Sequence, residues 1–431
     1  MVVSNNSKIN AHGSHIFWGN NKLALFLAFK SIIKGNRWAI ILVILVMAFS
    51  FVNLIFVSSL ISGIMVTMDN QMINYNFGNV VIGPKENKYY IEKTSTLEDK
   101  IKEVPGVYAV ASRIEYNAFF EYDWKEKTSQ KDKGKSGTWE VAGIDLNKEM
   151  QVTSIHKQLL DGSYLEPDDR DKIVLGVEIA GGPKSRTSDF LNLGGAKVGE
   201  KVRLTYPNGI QREYTIKGII YAREMNRADR TAMVTREELL SVLGREVYID
   251  RSSLILVKAS PGVEEDALIS AIKNTGIPET VKSWREYGGA QSSVVSTFDV
   301  IGSLIGGVGL VVSAIVMFIV VYINVLNKKR QIGILRAIGI PNIAIVGSYI
   351  YQAFFFAVMG TLIGWFFTSF VMMPVFRFYP LDLPIGQVSL NVRTAAIIGS
   401  ALGLSFAGVM AGFIPSWTIM KQSIINIIWG T

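Results

Sequence analysis

The segment KKRQIGILRAIG, from Lys328 to Gly339, is a short basic stretch with a long uncharged sequence on either side. Its Lys and Arg side chains alternate with isoleucine, leucine and glycine, which is typical of an amphipathic helix. Between two membrane-spanning helices it is too short to form a domain, so it would lie at the membrane surface. We interpret it as a coupling helix, on which a protein outside the membrane can push.

Four long stretches of the chain contain no charged residue. They lie between Arg37 and Asp69, Asp299 and Lys328, Arg336 and Arg377, and Arg393 and Lys421. Each exceeds the roughly 20 residues with which an α-helix crosses about 30 Å of hydrocarbon. The sequence predicts transmembrane helices at 38–66, 300–326, 342–373 and 394–420. The first stretch is longer than the apolar region of a cleaved signal peptide, so we expect a retained helix.

The formal charge of +8 belongs to the membrane portion. Residues 67–297 hold 32 Lys and Arg against 34 Asp and Glu, whereas the rest of the chain holds 12 basic residues and only two acidic ones. This placement argues against nucleic acid as a partner. Basic residues precede the first span, join the second to the third and follow the fourth, so the positive-inside rule predicts that these segments are cytoplasmic.

The predicted topology is therefore that of a multi-pass protein of the cell (plasma or inner) membrane with both termini cytoplasmic. Residues 1–37 would form the cytoplasmic N-terminus and 421–431 the cytoplasmic tail. The segment from about Asn21 to Gly35 is predicted to be an interfacial helix, and a plain cytoplasmic extension of the first span is the alternative. The coupling helix would occupy 327–341. Residues 67–297 and the shorter loop 374–393 would be extracytoplasmic. Without cysteine, the outside domain has no disulfides and depends on its apolar core.

Strand and helix signals alternate in residues 67–297. The run NVVIG and the segment Val107–Tyr122 are predicted strands, Ser95-x-x-Glu98 resembles a capping box, and a Lys-rich hairpin loop spans 125–137. Strand, helix and strand signals recur near the end. We expect porter-like halves at about 75–125 and 252–285, separated by a β-rich insertion at about 138–251. The predicted fold class is a four-helix membrane protein with a large α+β extracytoplasmic domain inserted between helices 1 and 2.

Small residues one turn apart mark the second, third and fourth spans. Such Gly-x-x-x-Gly faces allow helix backbones to approach closely in lipid. Glycine is also common in membrane helices in general, so a single motif does not by itself indicate a helix contact. The predicted packing residues are Gly302, Gly306, Gly360, Gly364, Gly399, Gly403, Gly408 and Gly412.

The sequence lacks the motifs of the common catalytic and cofactor sites. The segment closest to a phosphate-binding P-loop, Gly194 to Lys201, has Glu200 after its second glycine. The three histidines, His12, His15 and His156, are too scattered for a metal site. No predicted span carries a charge in its middle, which argues against a proton relay. We therefore expect no catalytic residues, no cofactor and no metal in this chain, and no enzymatic activity of its own.

Several segments together resemble the FtsX and MacB class of ABC-transporter permease subunits, which includes the lipoprotein-releasing LolC and LolE type. They are LALFLAFKSIIKGNRW before the first span, KKRQIGILRAIG, YIYQAFFFAVMGTLIGWFF in the third span, AGFIPSWTIMKQSIINII near the end, and VAGIDLN and LLDGSYL in the outside domain. The resemblance extends over nearly the whole chain and implies the same arrangement of four helices and an inserted outside domain.

The resemblance also implies partners. In this class two permease subunits pair, either as identical copies or as paralogues, and separate ATPase subunits, which bind ATP and Mg, dock on the helix between spans two and three. The residues predicted to contact the ATPase are Lys328, Lys329, Arg330, Gln331, Ile332, Gly333, Leu335, Arg336 and Gly339. All of these except Lys328, Lys329 and Gln331 match the family motif. Gln331 stands where family members usually have glutamate, and Gln352 stands where they commonly have it. The missing negative charges weaken any inference of a salt bridge at these two positions.

Two functions remain open at this point. The first is export or membrane extraction of an amphiphile, such as a lipoprotein, lipid, hydrophobic peptide or drug, driven by mechanotransmission from the ATPase. The second is FtsX-like signalling, in which the same motion activates an extracytoplasmic partner such as a cell-wall hydrolase and nothing is transported. Membrane lipids are partners in both.

Overall fold

The computed structural model describes residues 6–125, 135–186, 191–223, 226–288, 290–383 and 385–421. The tip of the predicted Lys-rich hairpin and the predicted cytoplasmic tail beyond Lys421 lie outside these residues. The chain divides into two compact units. We call residues 1–64, 297–381 and 388–431 the helical unit, and residues 65–296 and 382–387 the sheet unit.

Helices and strands are numbered in chain order. The α-helices are α1 (Asn6–Ile33), α2 (Arg37–Gln71), α3 (Thr94–Lys102), α4 (Leu146–Val152), α5 (Val177–Ala180), α6 (Arg236–Leu243), α7 (Arg245–Tyr248), α8 (Glu265–Lys273), α9 (Trp284–Tyr287), α10 (Ala290–Asn327), α11 (Lys329–Ala337), α12 (Asn342–Phe367), α13 (Met373–Phe378) and α14 (Thr394–Met420). The strands are β1 (Val80–Gly83), β2 (Ile91–Glu92), β3 (Val107–Tyr122), β4 (Ser136–Ile144), β5 (Leu159–Gly162), β6 (Lys172–Gly176), β7 (Lys201–Thr205), β8 (Gln211–Ile220), β9 (Thr231–Thr235), β10 (Arg251–Ser252), β11 (Leu254–Ala259), β12 (Thr280–Ser283), β13 (Leu381–Leu383) and β14 (Gly386–Val388).

Among the described residues, four helical segments are long and apolar enough to cross a membrane: Arg37–Phe77, Val300–Asn327, Asn342–Phe378 and Thr394–Met420. The last coincides with the predicted span. The first is longer than predicted because α2 continues to Gln71 and the π-helical segment Met72–Phe77 follows it. The third is longer because α13 continues it to Phe378, and Thr368–Met372, inside the predicted span, is π-helical. The predicted loop at 374–393 therefore begins only after Phe378.

Helix α1 begins at Asn6, about four turns before the Asn21 start expected from the sequence. Its residues Ala24 and Ala28 are buried, and a Cβ on Gly347 of α12 would lie 3.1 Å from the Cβ of Ala24. Helix α1 thus packs closely on α12 through small side chains.

The sheet unit contains a ten-stranded mixed sheet in the order β12-β1-β11-β3-β4-β9-β6-β8-β5, with β7 pairing with both β3 and β8. The β4–β9 and β6–β8 pairs are parallel, and the remaining pairs are antiparallel. Strand β3 covers the predicted range Val107–Tyr122. Its first half pairs with β11 and its second half with β4, so it belongs to both the porter-like part and the insertion.

Each part of this sheet has its own apolar core. Val80, Ile101 and Ile272 belong to the core beneath α3 and α8 in the porter-like part. A separate core in the insertion contains Phe120 and Tyr214. The insertion is therefore continuous with the porter-like strands in one sheet, but it buries different side chains.

The starts of helices α6 and α3 are capped in different ways. Thr235 caps α6, because its hydroxyl accepts a hydrogen bond from the Glu238 amide at 3.3 Å. The capping box at Ser95 was wrong, since α3 begins at Thr94 and its N-cap, Lys93, makes no side-chain cap. The Ser95 amide instead donates to a carboxylate oxygen of Asp250 at 2.8 Å. A distant acidic side chain thus takes the place of a local cap.

Candidate functional site: a short helix between two membrane helices

Helix α11 connects α10 to α12 within the helical unit. Lys328 is its N-cap, and the turn from α10 into α11 is tight because the Lys328 amide donates to the carbonyls of both Asn324 and Val325. The predicted coupling segment is therefore a separate short helix that follows the second span directly.

A glycine turn ends α11. Gly339 has φ +91°, its amide donates to the Arg336 carbonyl at 3.0 Å, and the Ile340 amide donates to the Leu335 carbonyl at 3.1 Å. This pair of bonds is the Schellman arrangement, which requires a residue in the left-handed conformation after the helix. Pro341 then starts α12. The connection on both sides of α11 is short, so α11 has little freedom to move independently of the two spans.

The two faces of α11 differ in exposure. Ile332 is 1% exposed in the core of the helical unit, and Gly333 is also buried. The opposite face is open: Ile334 is 49% and Ile338 70% exposed, next to the exposed side chains of Arg330 and Gln331. At 100° per residue these four positions lie within about 100° of one another. We call Arg330, Gln331, Ile334, Ala337 and Ile338 the open face of α11.

The nine residues predicted to contact an ATPase differ in exposure. Ile332 and Gly333 are buried within the helical unit. Lys328, Lys329, Leu335 and Arg336 are half-buried, and Arg330, Gln331 and Gly339 are exposed. The exposed side chains of Ile334 and Ile338 were not among the predicted residues, although their four-residue spacing is a signal for a shared helix face.

A polar chain ties α11 to two other helices. The ammonium of Lys328 donates to Ser31 Oγ on α1 at 2.5 Å, and the Ser31 hydroxyl donates to Gln352 Oε1 on α12 at 3.1 Å. Gln352 Nε2 in turn donates to the Ser348 carbonyl. Burial without a carboxylate partner lowers the pKa of Lys328. The N-cap of α11 is therefore linked by hydrogen bonds to α1 and, through Ser31, to α12.

Most of the predicted packing glycines contact another helix. A Cβ on Gly360 would lie 2.4 Å from Met47 Cβ, and one on Gly364 would lie 2.8 Å from the Phe51 ring, so α12 packs on α2. Gly412 lies similarly close to Ala353. A Cβ on Gly408 would lie 3.3 Å from the side chain of Ala357. One on Gly403 would lie 2.5 Å from Leu310, and one on Gly302 would lie 2.9 Å from Ile61.

Two of the eight predicted packing positions do not fit. A Cβ on Gly306 or Gly399 would meet no described atom within 4 Å. The Gly-x-x-x-Gly pattern at these two positions therefore does not correspond to a contact among the described residues of this chain.

A groove of about 650 Å³ lies in the helical unit between α2, α10 and the helical segment that follows α12. Apolar side chains including Phe49, Phe56 and Phe376 line it, and Asn53 and Ser313 add two polar groups. An apolar groove with a few polar groups is suited to a ligand that has an alkyl or aromatic part and a small polar part.

The π-helical end of the first span is attached to the sheet unit by buried amides. Asn76 Nδ2 donates to Asn226 Oδ1 at 2.7 Å, and Asn76 Oδ1 accepts from the Ala228 amide at 3.0 Å. Two residues earlier along the π-helix, Asn74 Oδ1 accepts from the ammonium of Lys258 at 2.7 Å. The π-helical segment Met72–Phe77 thus contacts both the porter-like part and the insertion within the sheet unit.

Ion pairs are concentrated where the porter-like part meets the insertion. Arg227 donates to Glu115 at 2.8 Å and to Glu140 at 2.6 Å. Burial and the nearby Glu115 carboxylate raise the pKa of Glu140, while Arg227 opposes the shift. Among the residues that the structure describes, no group of three or more His, Asp or Glu side chains has the arrangement of a metal site.

Comparisons with known proteins agree with this arrangement of helices and sheet. The family described as MacB-like periplasmic core domain matches residues 40–275, and the family described as FtsX-like permease C-terminal matches residues 303–424. The first match alone covers more than half of the chain. The chain therefore belongs to the FtsX/MacB-like permeases of ABC transporters, a family of multi-pass inner-membrane proteins, and the predicted family and fold class are confirmed.

Individual relatives are more distant. The macrolide export ATP-binding/permease protein MacB of Neisseria gonorrhoeae is 26% identical over 140 residues, which are 32% of this chain and 20% of that protein. MacB of Neisseria meningitidis is 27% identical over 173 residues, 40% of this chain and 24% of that protein. The chain thus matches a quarter or less of the length of these curated relatives.

Two solved structures are similar to part of the chain. One is the extracellular domain of the noncanonic ABC-type transporter YknZ from Gram-positive bacteria. The match covers 48% of this chain and 97% of that domain, at 14% identity and a TM-score of 0.31. The periplasmic region of MacB from Actinobacillus actinomycetemcomitans covers 49% and 92% at 13% identity and a TM-score of 0.32. Because both scores are low, the family assignment rests on the sequence families.

Proposed function

We propose that this chain is the permease subunit of an ABC transporter whose ATPase is a separate protein that binds the open face of α11. The observation that carries the proposal is the asymmetry of α11, which buries Ile332 among the membrane helices and exposes Ile334 and Ile338 on the other side. Exposed apolar side chains beside Arg330 form a surface suited to a protein partner. ATP and Mg would be bound by that partner.

The same geometry supports a mechanism of coupling. The ATPase can drive a change only if it contacts two arrangements of the permease with different affinity. Since α11 is anchored at Ile332 and tied to α1 and α12 through Lys328 and Ser31, a push on its open face would move the spans together. The π-helical segment Met72–Phe77 follows α2 directly along the chain and would carry the movement to the sheet. In this proposal, α11 is cytoplasmic and the sheet unit extracytoplasmic.

The substrate class that we propose is an amphiphile, such as a lipoprotein, lipid, hydrophobic peptide or drug, which would be exported or extracted from the membrane. The apolar groove with Asn53 and Ser313 supports this class. The curated relatives are named for macrolide export, which is consistent with a drug among the candidates. A second permease subunit, identical or a paralogue, would complete the transporter.

Co-purification tests the docking surface. We expect Ile334→Asp and Ile338→Asp to abolish recovery of the ATPase subunit, because a carboxylate would be buried in the interface without a partner. The matched controls are Val247→Asp and Ile249→Asp, which place the same charge at exposed apolar positions of the sheet unit. Undiminished ATPase recovery with both α11 variants would exclude the open face as the contact.

One observation favours the second candidate function, signalling to an extracytoplasmic partner. A groove of about 540 Å³ in the sheet unit is lined by Tyr89, Tyr90, Tyr116 and Tyr287. Tyr89 is 89% exposed, and tyrosine is enriched at protein interfaces. ATPase stimulation of the reconstituted complex separates the two functions: stimulation by an amphiphile supports transport, whereas stimulation only by an extracytoplasmic protein supports signalling.

A further inference from the structure

One face of α1 combines exposed apolar side chains with lysines. Leu25, Phe26, Phe29 and Ile33 are 57, 55, 60 and 55% exposed. Lys22, Lys30 and Lys34 are exposed beside them, and the Lys30 ammonium lies 5.8 Å from the centre of the Phe26 ring. We call these seven residues the α1 lipid face.

The orientation of this face is fixed by the opposite side of the helix. Ala24 and Ala28 pack on α12, and Ser31 bonds to both Lys328 and Gln352. On a helical wheel, the four apolar residues span about 100°, and the lysines occupy an arc of about 120° that overlaps it. This is the arrangement of a helix lying in a membrane interface, with apolar side chains in the acyl region and lysines among the headgroups.

The helical unit does not supply counter-charges for these lysines. No Asp or Glu occurs before Asp69, and in the rest of the helical unit the only acidic residue is Asp299. Asp299 lies on α10, 29 residues before Lys328, so it is about 44 Å away along that helix. Since Lys328 contacts Ser31, the α1 lipid face is on the α11 side of the membrane, a bilayer thickness from Asp299.

We propose that the α1 lipid face binds anionic phospholipid in the leaflet on the α11 side. Exposed apolar side chains between the lysines distinguish this face from a solvated charged helix and favour a lipid over a soluble anion. The ATPase would take the open face of α11, which is formed by other residues, so both partners can bind at once. The proposal concerns the chain alone and does not depend on the proposed transport function.

Native mass spectrometry of the full chain provides the test. The protein is exchanged into micelles that contain equal amounts of phosphatidylglycerol and phosphatidylcholine with the same acyl chains. We expect preferential retention of phosphatidylglycerol, and we expect the triple variant Lys22→Gln, Lys30→Gln, Lys34→Gln to reduce that preference at least about fivefold. The control triple variant Lys88→Gln, Lys102→Gln, Lys282→Gln removes three exposed lysines of the sheet unit and should retain it.

Further lipids, a soluble competitor and a second variant identify the chemical group that the α1 lipid face recognises. Phosphatidylserine should be retained as well as phosphatidylglycerol, because the lysines recognise the negative charge of the headgroup and not its glycerol. If phosphatidylserine is not retained, the proposal is wrong. Free glycerophosphate should not compete, and competition would show a phosphate pocket in place of a lipid surface. Phe26→Ser with Phe29→Ser should lower retention of both lipids. Equal phosphatidylglycerol preference in the wild type and the α1 triple variant would also refute the proposal.

Discussion

Gly360 lies directly against Met47, so that a Cβ on Gly360 would be 2.4 Å from the Met47 Cβ and 3.0 Å from its carbonyl carbon. Two helices distant in sequence, α12 and α2, therefore touch through backbone at this point. In lipid, where apolar burial does not drive helix association, such close packing is a main source of stability.

The first prediction follows from this contact. Gly360→Ala should lower the free energy of unfolding by about 1–3 kcal/mol, because the added methyl forces α2 and α12 apart. The measurement is thermal or denaturant unfolding of the protein in detergent. Gly399→Ala is the matched control, since a Cβ there meets no described atom within 4 Å. Equal effects of the two substitutions would contradict the packing argument.

The second prediction concerns the buried pair Arg113 and Glu149. Arg113 Nε and Nη2 donate to the two carboxylate oxygens of Glu149, and Thr153 Oγ1 donates to one of them at 2.7 Å. Glu149→Gln leaves the guanidinium buried without its charge partner and should cost about 3–5 kcal/mol. Glu237→Gln, which breaks the exposed pair with Arg245, should cost at most about 1 kcal/mol. Chemical denaturation distinguishes these values.

The third prediction is a pH dependence of stability caused by His156. Its Nδ1 is buried with no hydrogen-bond partner among the described residues, and burial together with Lys157 lowers the pKa of His156 below 6.5. The unfolded chain therefore binds a proton more readily than the folded one, so stability should fall as pH falls through 6.5 toward the lower folded pKa.

Denaturation of the wild type and of His156→Gln at a series of pH values measures this effect. The variant should show a shallower loss between about pH 7 and pH 5, the interval in which histidine normally titrates. A variant with His12→Gln and His15→Gln is the control and should retain the wild-type slope. An unchanged slope in His156→Gln would show that other groups cause the pH dependence.

The fourth prediction concerns Ser31, the central residue of the polar chain from Lys328 to Gln352. Ser31→Ala removes two hydrogen bonds and should destabilise the helical unit by about 1–3 kcal/mol. Ser50→Ala, a change on α2 where the described residues show no hydrogen bond to another helix, should have a much smaller effect. Differential scanning measurements in detergent compare the two, and equal midpoints would show that the polar chain does not stabilise α1.

The fifth prediction concerns topology. The chain has no cysteine, so a single introduced thiol reports its own location. If α11 is cytoplasmic, Ala337→Cys should react with a membrane-impermeant maleimide only after cells are broken open. Gln211→Cys, at an exposed position of the sheet unit, should react without that step. Labelling of Ala337→Cys in intact cells would reverse the proposed orientation.

Parts of the fold were predictable because their signals are local. The uncharged run at 394–420 is a helix over Thr394–Met420, and the long β-signal at Val107–Tyr122 is a strand with the same bounds. The helical continuations Met72–Phe77 and Met373–Phe378 were not predicted, because they extend apolar helices into residues whose composition does not require a helix.

The sequence predicted a short helix between the second and third spans, but it did not show which side of that helix is exposed. Matching to the family included Ile332 and Gly333 as contact residues, yet both are buried against the rest of the helical unit. Ile334 and Ile338 are chemically similar to Ile332, and only the neighbours of α11 distinguish them. The hydrogen bonds from Lys328 through Ser31 to Gln352 join residues about 300 positions apart in the sequence, so no local pattern could indicate them.

The sequence by itself determined the number of membrane helices, the place of the basic connection between them and the identity of the family, because hydrocarbon selects long uncharged runs residue by residue. The tertiary structure alone decided which side of α11 is free, which glycines contact a helix, and that the inserted strands continue the porter-like sheet. Burial and pairing depend on neighbours that are distant along the chain, and those neighbours come together only when the chain is folded.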